Sequence, residues 1–184
     1  MRTAGRVSDA ARAAGYAVLR RAPRTRLAVR HAYWALQKRK YDALAKSIAT
    51  EARTVLFEAY GGRSYACSPK ALYQEMLGDE RFAGCELVWA FREGAVPSDE
   101  PDLEHATIVK RGSSAYFETL ARAGCIVVNN RLPEYVYPKD DQVYVQCWHG
   151  TPLKRLGYDV EIEMESALNT TNELAERFGM DARK

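Results

Sequence analysis

The chain changes its hydrophobic pattern close to residue 53. Before that position apolar residues recur at helical spacing, and the row Leu27, Trp34, Tyr41 and Ile48 repeats every seven residues. This pattern predicts two amphipathic helices separated near Pro23. Beyond residue 53, short apolar runs alternate with helix-like stretches, as strands and helices do in α/β proteins.

Capping residues and apolar runs define the expected elements. Ser68 is expected to cap a helix over residues 70–77, and Ser113 or Ser114 a second helix that ends at Gly124. Strands that alternate with helices form βαβ units, so we expect an α/β fold, a parallel sheet with helices on both faces. The five predicted strands are Thr54–Tyr60, Cys85–Phe91, Ala106–Lys110, Cys125–Asn129 and Val143–Trp148.

Several candidate ligand-binding residues follow predicted strands directly. Gly61-Gly62, Asn129-Asn130 and His149 each stand at the carboxyl end of such a strand. Open α/β sheets bind ligands just outside these ends. The predicted topology therefore gathers these residues on one rim of the sheet.

The last predicted strand leads into residues 148–154, WHGTPLK. Thr151 is a suitable N-cap, and the proline after it suits the first helical position. The N-terminus of a helix favours anions, phosphate above all, and Lys154 adds a full positive charge. Gly150 lets backbone amides approach a phosphate closely, and His149 beside it suits the base of a phosphoryl transfer.

Each of these four residues also has a plainer interpretation. His149 fits a structural histidine equally, and Gly150 an ordinary turn glycine. Thr151 fits a cap without a substrate contact, and Lys154 a solvated helix face. His31 and His105 have no partner pattern, so we expect them to be structural or exposed.

The stretch from Gln146 to Asp159, QCWHGTPLKRLGYD, resembles the signature of the CDP-glycerol glycerophosphotransferases, the primases and polymerases of teichoic acid. Weaker similarities stand upstream in the family's order: TVLFE before Gly61-Gly62, LVW at 87–89, and VVNNRLP at 127–133. The resemblance implies a Rossmann-like fold, the N-terminal half of a GT-B-type enzyme. It also implies transfer of glycerol phosphate from CDP-glycerol, or ribitol phosphate from CDP-ribitol, to the terminal hydroxyl of a membrane-linked polymer, with release of CMP.

The resemblance assigns His149 as the general base that takes the proton of the acceptor hydroxyl. It also implies that this half faces the acceptor polymer, so Arg63 becomes a candidate contact for polymer phosphates. Further candidates on the rim or before a helix are Arg111, Ser113, Asn129 and Arg131, each of which also fits ordinary loop or capping structure.

No cofactor beyond the donor substrate is expected. The family resembled holds its donor without a metal, and the sequence contains no acidic metal cluster. The four cysteines form no CxxC pair, and with three scattered histidines they give no zinc spacing. We expect Cys67, Cys85, Cys125 and Cys147 to be small buried residues in a reducing cytosol.

Charge is distributed unevenly along the chain. Residues 1–53 carry 13 Lys and Arg against 3 acidic residues, a net +10, whereas the remainder carries a net −7. A basic amphipathic helix with aromatic residues favours an anionic membrane surface as partner, at the cytoplasmic face of the cell membrane. The alternative is a helix that packs on its own domain and leaves its basic face in solvent.

Three segments are therefore expected: a basic helical arm over 1–53, an acceptor-side domain over 54–160, and over 161–184 the start of a linker toward a donor domain. Members of the family carry a second half that holds the CDP moiety, together with a second functional histidine. We therefore expect a fragment with little transferase activity of its own. One rival is a non-catalytic module that holds an anionic polymer at the membrane. A nucleic-acid-binding protein is a weaker rival, because no helix-turn-helix, RRM or zinc pattern is present.

Overall fold

A computed structural model describes residues 23–148, 179–180 and 184. Five strands form one parallel sheet in the order β3-β2-β1-β4-β5, which confirms the predicted α/β fold. Along the chain the elements are α1 (Pro23–Ser47), β1 (Glu51–Glu58), α2 (Cys67–Gly78), β2 (Glu86–Phe91), β3 (Thr107–Lys110), α3 (Ser114–Arg122), β4 (Ala123–Val128) and β5 (Val143–Gln146), with short 3-10 turns at Glu80–Phe82 and Pro101–His105.

The central strands are buried on both faces, as their unbroken apolar runs require. Successive side chains of a strand point to opposite faces, so Leu56 of β1 lies in one core and Phe57 in the other. The first core is completed by side chains of α1 and α3, and the second by Tyr73 of α2. Helices therefore cover both faces, as the sequence predicts.

Helix α1 packs on the sheet through its C-terminal half. Tyr41 and Ala45 are buried there, and Ile48 packs against the same core. Two members of the seven-residue apolar row, Tyr41 and Ile48, thus serve packing within the domain, whereas Val29, Tyr33 and Leu36 stay exposed. No helix among the described residues has the length and apolar character needed to cross a membrane. The first predicted helix lies outside the described residues.

Two boundary predictions are wrong for identifiable reasons. Helix α2 begins at Cys67 with Ala66 as its N-cap, so Ser68 lies in the first turn and caps nothing. Gly124 does not end a helix but is the second residue of β4. A Cβ on Gly124 would lie 2.7 Å from the Cα of Ala52, so the glycine permits close approach of β4 to β1. The strand β1 spans Glu51–Glu58, whereas the sequence predicts this strand over Thr54–Tyr60.

The order of the strands creates a switch point between β1 and β4. From β1 the chain builds outward to β2 and β3 and then returns to β4 on the opposite side of β1. In such sheets the crevice at the switch point is where ligands bind. Gly61-Gly62 after β1 and Asn129-Asn130 after β4 meet at this crevice, as expected, while His149 lies outside the described residues.

Candidate functional site

The crevice between the ends of β1 and β4 is closed at its base by a side chain. Asn129 is fully buried, and its Oδ1 accepts a hydrogen bond of 2.7 Å from the backbone N–H of Tyr60. This bond joins the two strand ends beyond the last ladder pair, Glu58 with Val128. The predicted site residue Asn129 thus lies on the rim and also fixes the loop opposite it.

Beneath the rim lies an acidic side chain that the sequence analysis did not single out. Glu58 is 1% exposed, and its Oε2 accepts hydrogen bonds from Arg111 Nε at 3.0 Å and from the Tyr116 hydroxyl at 2.9 Å. Burial raises the pKa of the Glu58 carboxyl, and the charge of Arg111 opposes that shift. Arg111 therefore neutralises a buried carboxylate, a structural task beside the predicted substrate role.

Ser113 occupies the N-cap of α3, as the sequence predicts. Its side chain accepts a hydrogen bond of 3.2 Å from the backbone N–H of Tyr116. This satisfies one of the amides that a helix leaves unpaired at its start. A phosphate contact of Ser113 remains a prediction.

Three arginines other than Arg111 follow strand ends on this side of the sheet. Arg63 is exposed, and its side chain pairs with no described residue. Arg131 is half-buried beside Asn130, whose Oδ1 accepts the Arg131 backbone N–H at 2.8 Å. The third, Arg92, directly follows β2 and was missed, although the rule that selected Asn129 from the end of β4 applies to it equally.

Cys67 departs from its expected burial. It is exposed at the start of α2, with a backbone φ of +63°, and the other three cysteines are free thiols of intermediate exposure. The side chain of Asn129 lowers the pKa of the Cys67 thiol most, followed by the Tyr60 hydroxyl and the Ser68 N–H. The prediction of four buried cysteines is therefore wrong.

The chain enters the WHGTPLK stretch at the same rim. The Cys147 backbone N–H donates to the Val128 carbonyl at 2.7 Å, and Gln146 Nε2 donates to the Asn130 carbonyl at 3.1 Å. Trp148 follows with a φ of +59° and a side chain that is 46% exposed. The predicted site residues His149, Gly150, Thr151 and Lys154 lie outside the described residues.

Within the described part of the chain, no three histidine, cysteine or acidic side chains lie close enough together to hold a metal ion. The chemistry of the described rim is instead that of cationic and amide donors. Such a set binds oxyanions, and arginine binds phosphate in particular.

Comparison with known proteins also points to an enzyme that handles phosphate groups. The family described as CDP-Glycerol:Poly(glycerophosphate) glycerophosphotransferase matches residues 41–182. A teichoic acid poly(glycerol phosphate) polymerase of Staphylococcus epidermidis is 35% identical over 125 residues, which are 66% of this chain and 16% of the relative. A teichoic acid glycerol-phosphate transferase of Staphylococcus aureus is 30% identical over 118 residues, which are 64% of this chain and 29% of that protein.

Solved structures of the wall teichoic acid polymerase TagF share the fold. One aligns with a TM-score of 0.64 at 30% identity and covers 84% of this chain and 38% of that one. The likeness confirms the predicted fold class, a Rossmann-like sheet of the GT-B type. The chain spans well under half the length of these relatives.

Proposed function

The chain belongs to the CDP-glycerol:poly(glycerophosphate) glycerophosphotransferase family, and on this premise we propose that it forms the acceptor-side domain of a glycerophosphotransferase. The donor is CDP-glycerol, or CDP-ribitol in a sister reaction, and the acceptor is the terminal hydroxyl of a teichoic-acid-like polymer. The family shows the transferase class, and the names of the relatives point to glycerol phosphate polymers.

One observation carries the proposal. Cys147 and Trp148 reach the carboxyl rim of the sheet beside Asn130, immediately before the WHGTPLK stretch continues at His149. The stretch that resembles the family signature therefore starts at the edge where α/β sheets bind their ligands.

In the proposed reaction His149 takes the proton from the acceptor hydroxyl. The freed oxygen attacks the β-phosphorus of the donor, a new P–O bond forms, and the bond to CMP breaks with its electron pair leaving on CMP. Imidazole suits this step because its ordinary pKa of about 6.5 leaves much of it neutral near pH 7. The reaction is expected to need no cofactor beyond the donor.

Phosphate groups of donor and acceptor require cationic and N–H partners. We assign this role to Gly150, Thr151 and Lys154 after the base, together with Arg63 and Arg131 of the rim. Arg111, Ser113 and Asn129 contribute mainly by shaping the rim, through their bonds to Glu58 and to the backbone N–H groups of Tyr116 and Tyr60.

The test is CMP release by the full-length gene product from CDP-glycerol, with a lipid-linked glycerol phosphate acceptor. His149→Ala is expected to lower kcat by about 10²-fold or more, as loss of a positioned base does. His105→Ala is the matched control, because this exposed histidine precedes β3 at the opposite end of the sheet.

Undiminished release by His149→Ala would remove the base role from His149. If neither CDP-glycerol nor CDP-ribitol gave CMP, the transferase proposal would fail and the non-catalytic polymer-binding module would take its place.

We also propose that the basic N-terminal segment holds the protein at the cytoplasmic face of an anionic membrane. The support is the +10 charge of residues 1–53 and the exposed stripe Val29, Tyr33 and Leu36 on α1. These three residues share one helical face and stay exposed, although the Tyr33 ring also contacts Tyr135, whereas Tyr41 and Ile48 pack in the core.

Flotation with vesicles of phosphatidylglycerol and phosphatidylcholine tests this proposal. Replacing Val29 and Leu36 with aspartate is expected to abolish flotation, because both apolar contact and charge attraction are weakened. The same replacement at Ile108, which is exposed on the edge strand β3, serves as the control. Equal flotation of all three proteins would contradict the membrane role of this stripe.

A further inference from the structure

Gly61, at the switch point, leaves an open space that a side chain would fill. Its φ is +66° and that of Gly62 is +76°, so the chain turns sharply through the left-handed region after β1. The position that a Cβ of Gly61 would occupy lies 3.6 Å from Asn130 Nδ2 and 3.7 Å from an Nη atom of Arg92. Two side-chain nitrogens, from the ends of β2 and β4 on either side of β1, thus face each other across Gly61, which has no side chain of its own.

Arg92 is held over this space by the backbone of the turn. Its Nε donates to the Gly61 carbonyl at 2.9 Å, and its backbone N–H donates to the Gly62 carbonyl. These bonds orient the guanidinium and leave both Nη groups without a partner among the described residues. The side chain is exposed, so a ligand can reach it.

The acidic side chains near Arg92 are already engaged. Glu93, the next residue along the chain, pairs with Lys110 at 3.0 Å. Glu58 forms its ion pair with Arg111 through Oε2 and lies below the rim, where the charge of Arg92 also lowers its pKa without an ion pair between them. The positive charge of Arg92 is therefore not neutralised by an ion pair within the described part of the fold.

The orientation of the Asn130 amide follows from its own hydrogen bond. Its Oδ1 accepts from the backbone N–H of Arg131 at 2.8 Å, which fixes the other terminal atom as the N–H donor. Nδ2 therefore presents hydrogens toward the space above Gly61. A cation and an amide donor facing one gap are complementary to an oxyanion and repel a cation.

The geometry points to a phosphate-binding site above Gly61, in which Arg92 holds two oxygens of the group and Asn130 Nδ2 holds a third. A phosphodiester or phosphomonoester suits the site, because the planar guanidinium fork matches two phosphate oxygens. Gly61 is required since a methyl group there would stand between the two nitrogens and keep phosphate oxygens from reaching both. As a contact for a phosphate of the acceptor polymer, the site rests on the proposed function, but phosphate binding itself does not.

The test uses the 184-residue chain labelled with ¹⁵N and titrated with inorganic phosphate at constant ionic strength. The Gly61 N–H and the Asn130 side-chain amide are expected to shift with saturation. Arg92→Gln is expected to weaken phosphate binding by about 10-fold or more, the scale of a lost charge-assisted bidentate contact.

Arg53→Gln is the matched control, because Arg53 is also an exposed arginine whose guanidinium bonds backbone carbonyls, those of Ala83 and Gly84, at the other end of β1. It is expected to bind phosphate as the parent chain does. Asn130→Asp, which is isosteric and keeps the acceptor for Arg131, is expected to weaken binding because a carboxylate would face the anion. Equal binding by the parent, Arg92→Gln and Asn130→Asp chains, or no saturable shift in the parent, would overturn the site.

A second measurement separates this site from the proposed function. In the CMP-release assay of the full-length gene product, Arg92→Gln is expected to raise the KM for the polymer acceptor by about 10-fold and to leave the KM for CDP-glycerol unchanged. Arg92-dependent phosphate binding without any CMP release would refute the transferase and keep the site. CMP release together with phosphate binding that does not depend on Arg92 would support the transferase and refute the phosphate site.

Discussion

Arg111 forms an ion pair with the buried Glu58, so its replacement should lower the stability of the fold. A residue that only contacts substrate would not have this effect. Replacing Arg111 with methionine keeps an unbranched, flexible stem and removes the guanidinium with its charge. Glu58, 1% exposed, then retains only the Tyr116 hydroxyl as a hydrogen-bond donor. Two charges about 4 Å apart at an effective dielectric constant of about 20 attract each other by about 4 kcal/mol, and breaking buried pairs costs about 3–5 kcal/mol. We expect the free energy of unfolding of Arg111→Met to fall by about 3 kcal/mol, at the lower end of this range, because Glu58 can take up a proton when its partner is missing.

The pH dependence of that loss has a definite sign. Burial raises the pKa of Glu58 already in the parent chain, and removal of Arg111 raises it further. A raised carboxyl pKa means that stability is retained while the group is protonated and lost as the pH rises through the folded-state pKa. The deficit of Arg111→Met is therefore expected to grow as the pH rises above the ordinary carboxyl pKa of about 4.3.

Urea unfolding of the 184-residue chain, followed by circular dichroism, measures both effects. Arg63→Met removes the same charge from an exposed side chain without a described partner, so its free energy of unfolding is expected to change by less than about 0.5 kcal/mol. Glu58→Gln combined with Arg111→Met is expected to recover part of the stability. If Arg111→Met unfolds like the parent at every pH, the structural assignment is refuted and the predicted substrate contact is favoured.

Three further predictions concern single residues. Gly124→Ala is expected to lower the free energy of unfolding by about 1–3 kcal/mol because its methyl group would press on the β1 backbone. Gly78→Ala, with nothing within 4 Å, should be neutral or stabilising, and equal stability of the two variants would contradict this account. Gln142→Ala is expected to cost about 1–3 kcal/mol in thermal unfolding, because its Nε2 serves buried main-chain carbonyls; an unchanged melting temperature would refute it. Cys67, whose pKa is lowered, should be alkylated by iodoacetamide at lower pH than Cys147, whose pKa burial raises, and mass spectrometry showing the opposite order would exclude this ordering.

The fold was predictable because its signals are local. An unbroken apolar run such as Val55–Phe57 followed by Gly61-Gly62 indicates a buried strand and a turn without reference to the rest of the chain. The meeting of Gly61 and Asn129 followed from topology, since carboxyl ends of parallel strands share one edge.

What was missed depends on contacts between distant positions. The residues around Gly124 predict that it ends a helix. Its place in a strand is explained by the close approach of Ala52 in β1. In the sequence Glu58 is simply the polar residue that ends an apolar run. Its partners Arg111 and Tyr116 lie more than fifty positions further along the chain. Pairing over such separations leaves no periodic trace in a single sequence.

The arginines of the rim divide into two kinds, and burial decides which is which. Arg111 is 22% exposed and lies beside a buried carboxylate, so its charge is used within the fold. Arg92 is exposed, donates among the described residues to carbonyl oxygens of the turn, and faces a gap that glycine keeps open. A carbonyl orients a guanidinium without cancelling its charge, whereas a carboxylate cancels it. If the rim binds a polyanion, Arg92 is therefore better suited to contact it than Arg111, which acts by neutralising Glu58, whose bare negative charge would otherwise repel the same ligand.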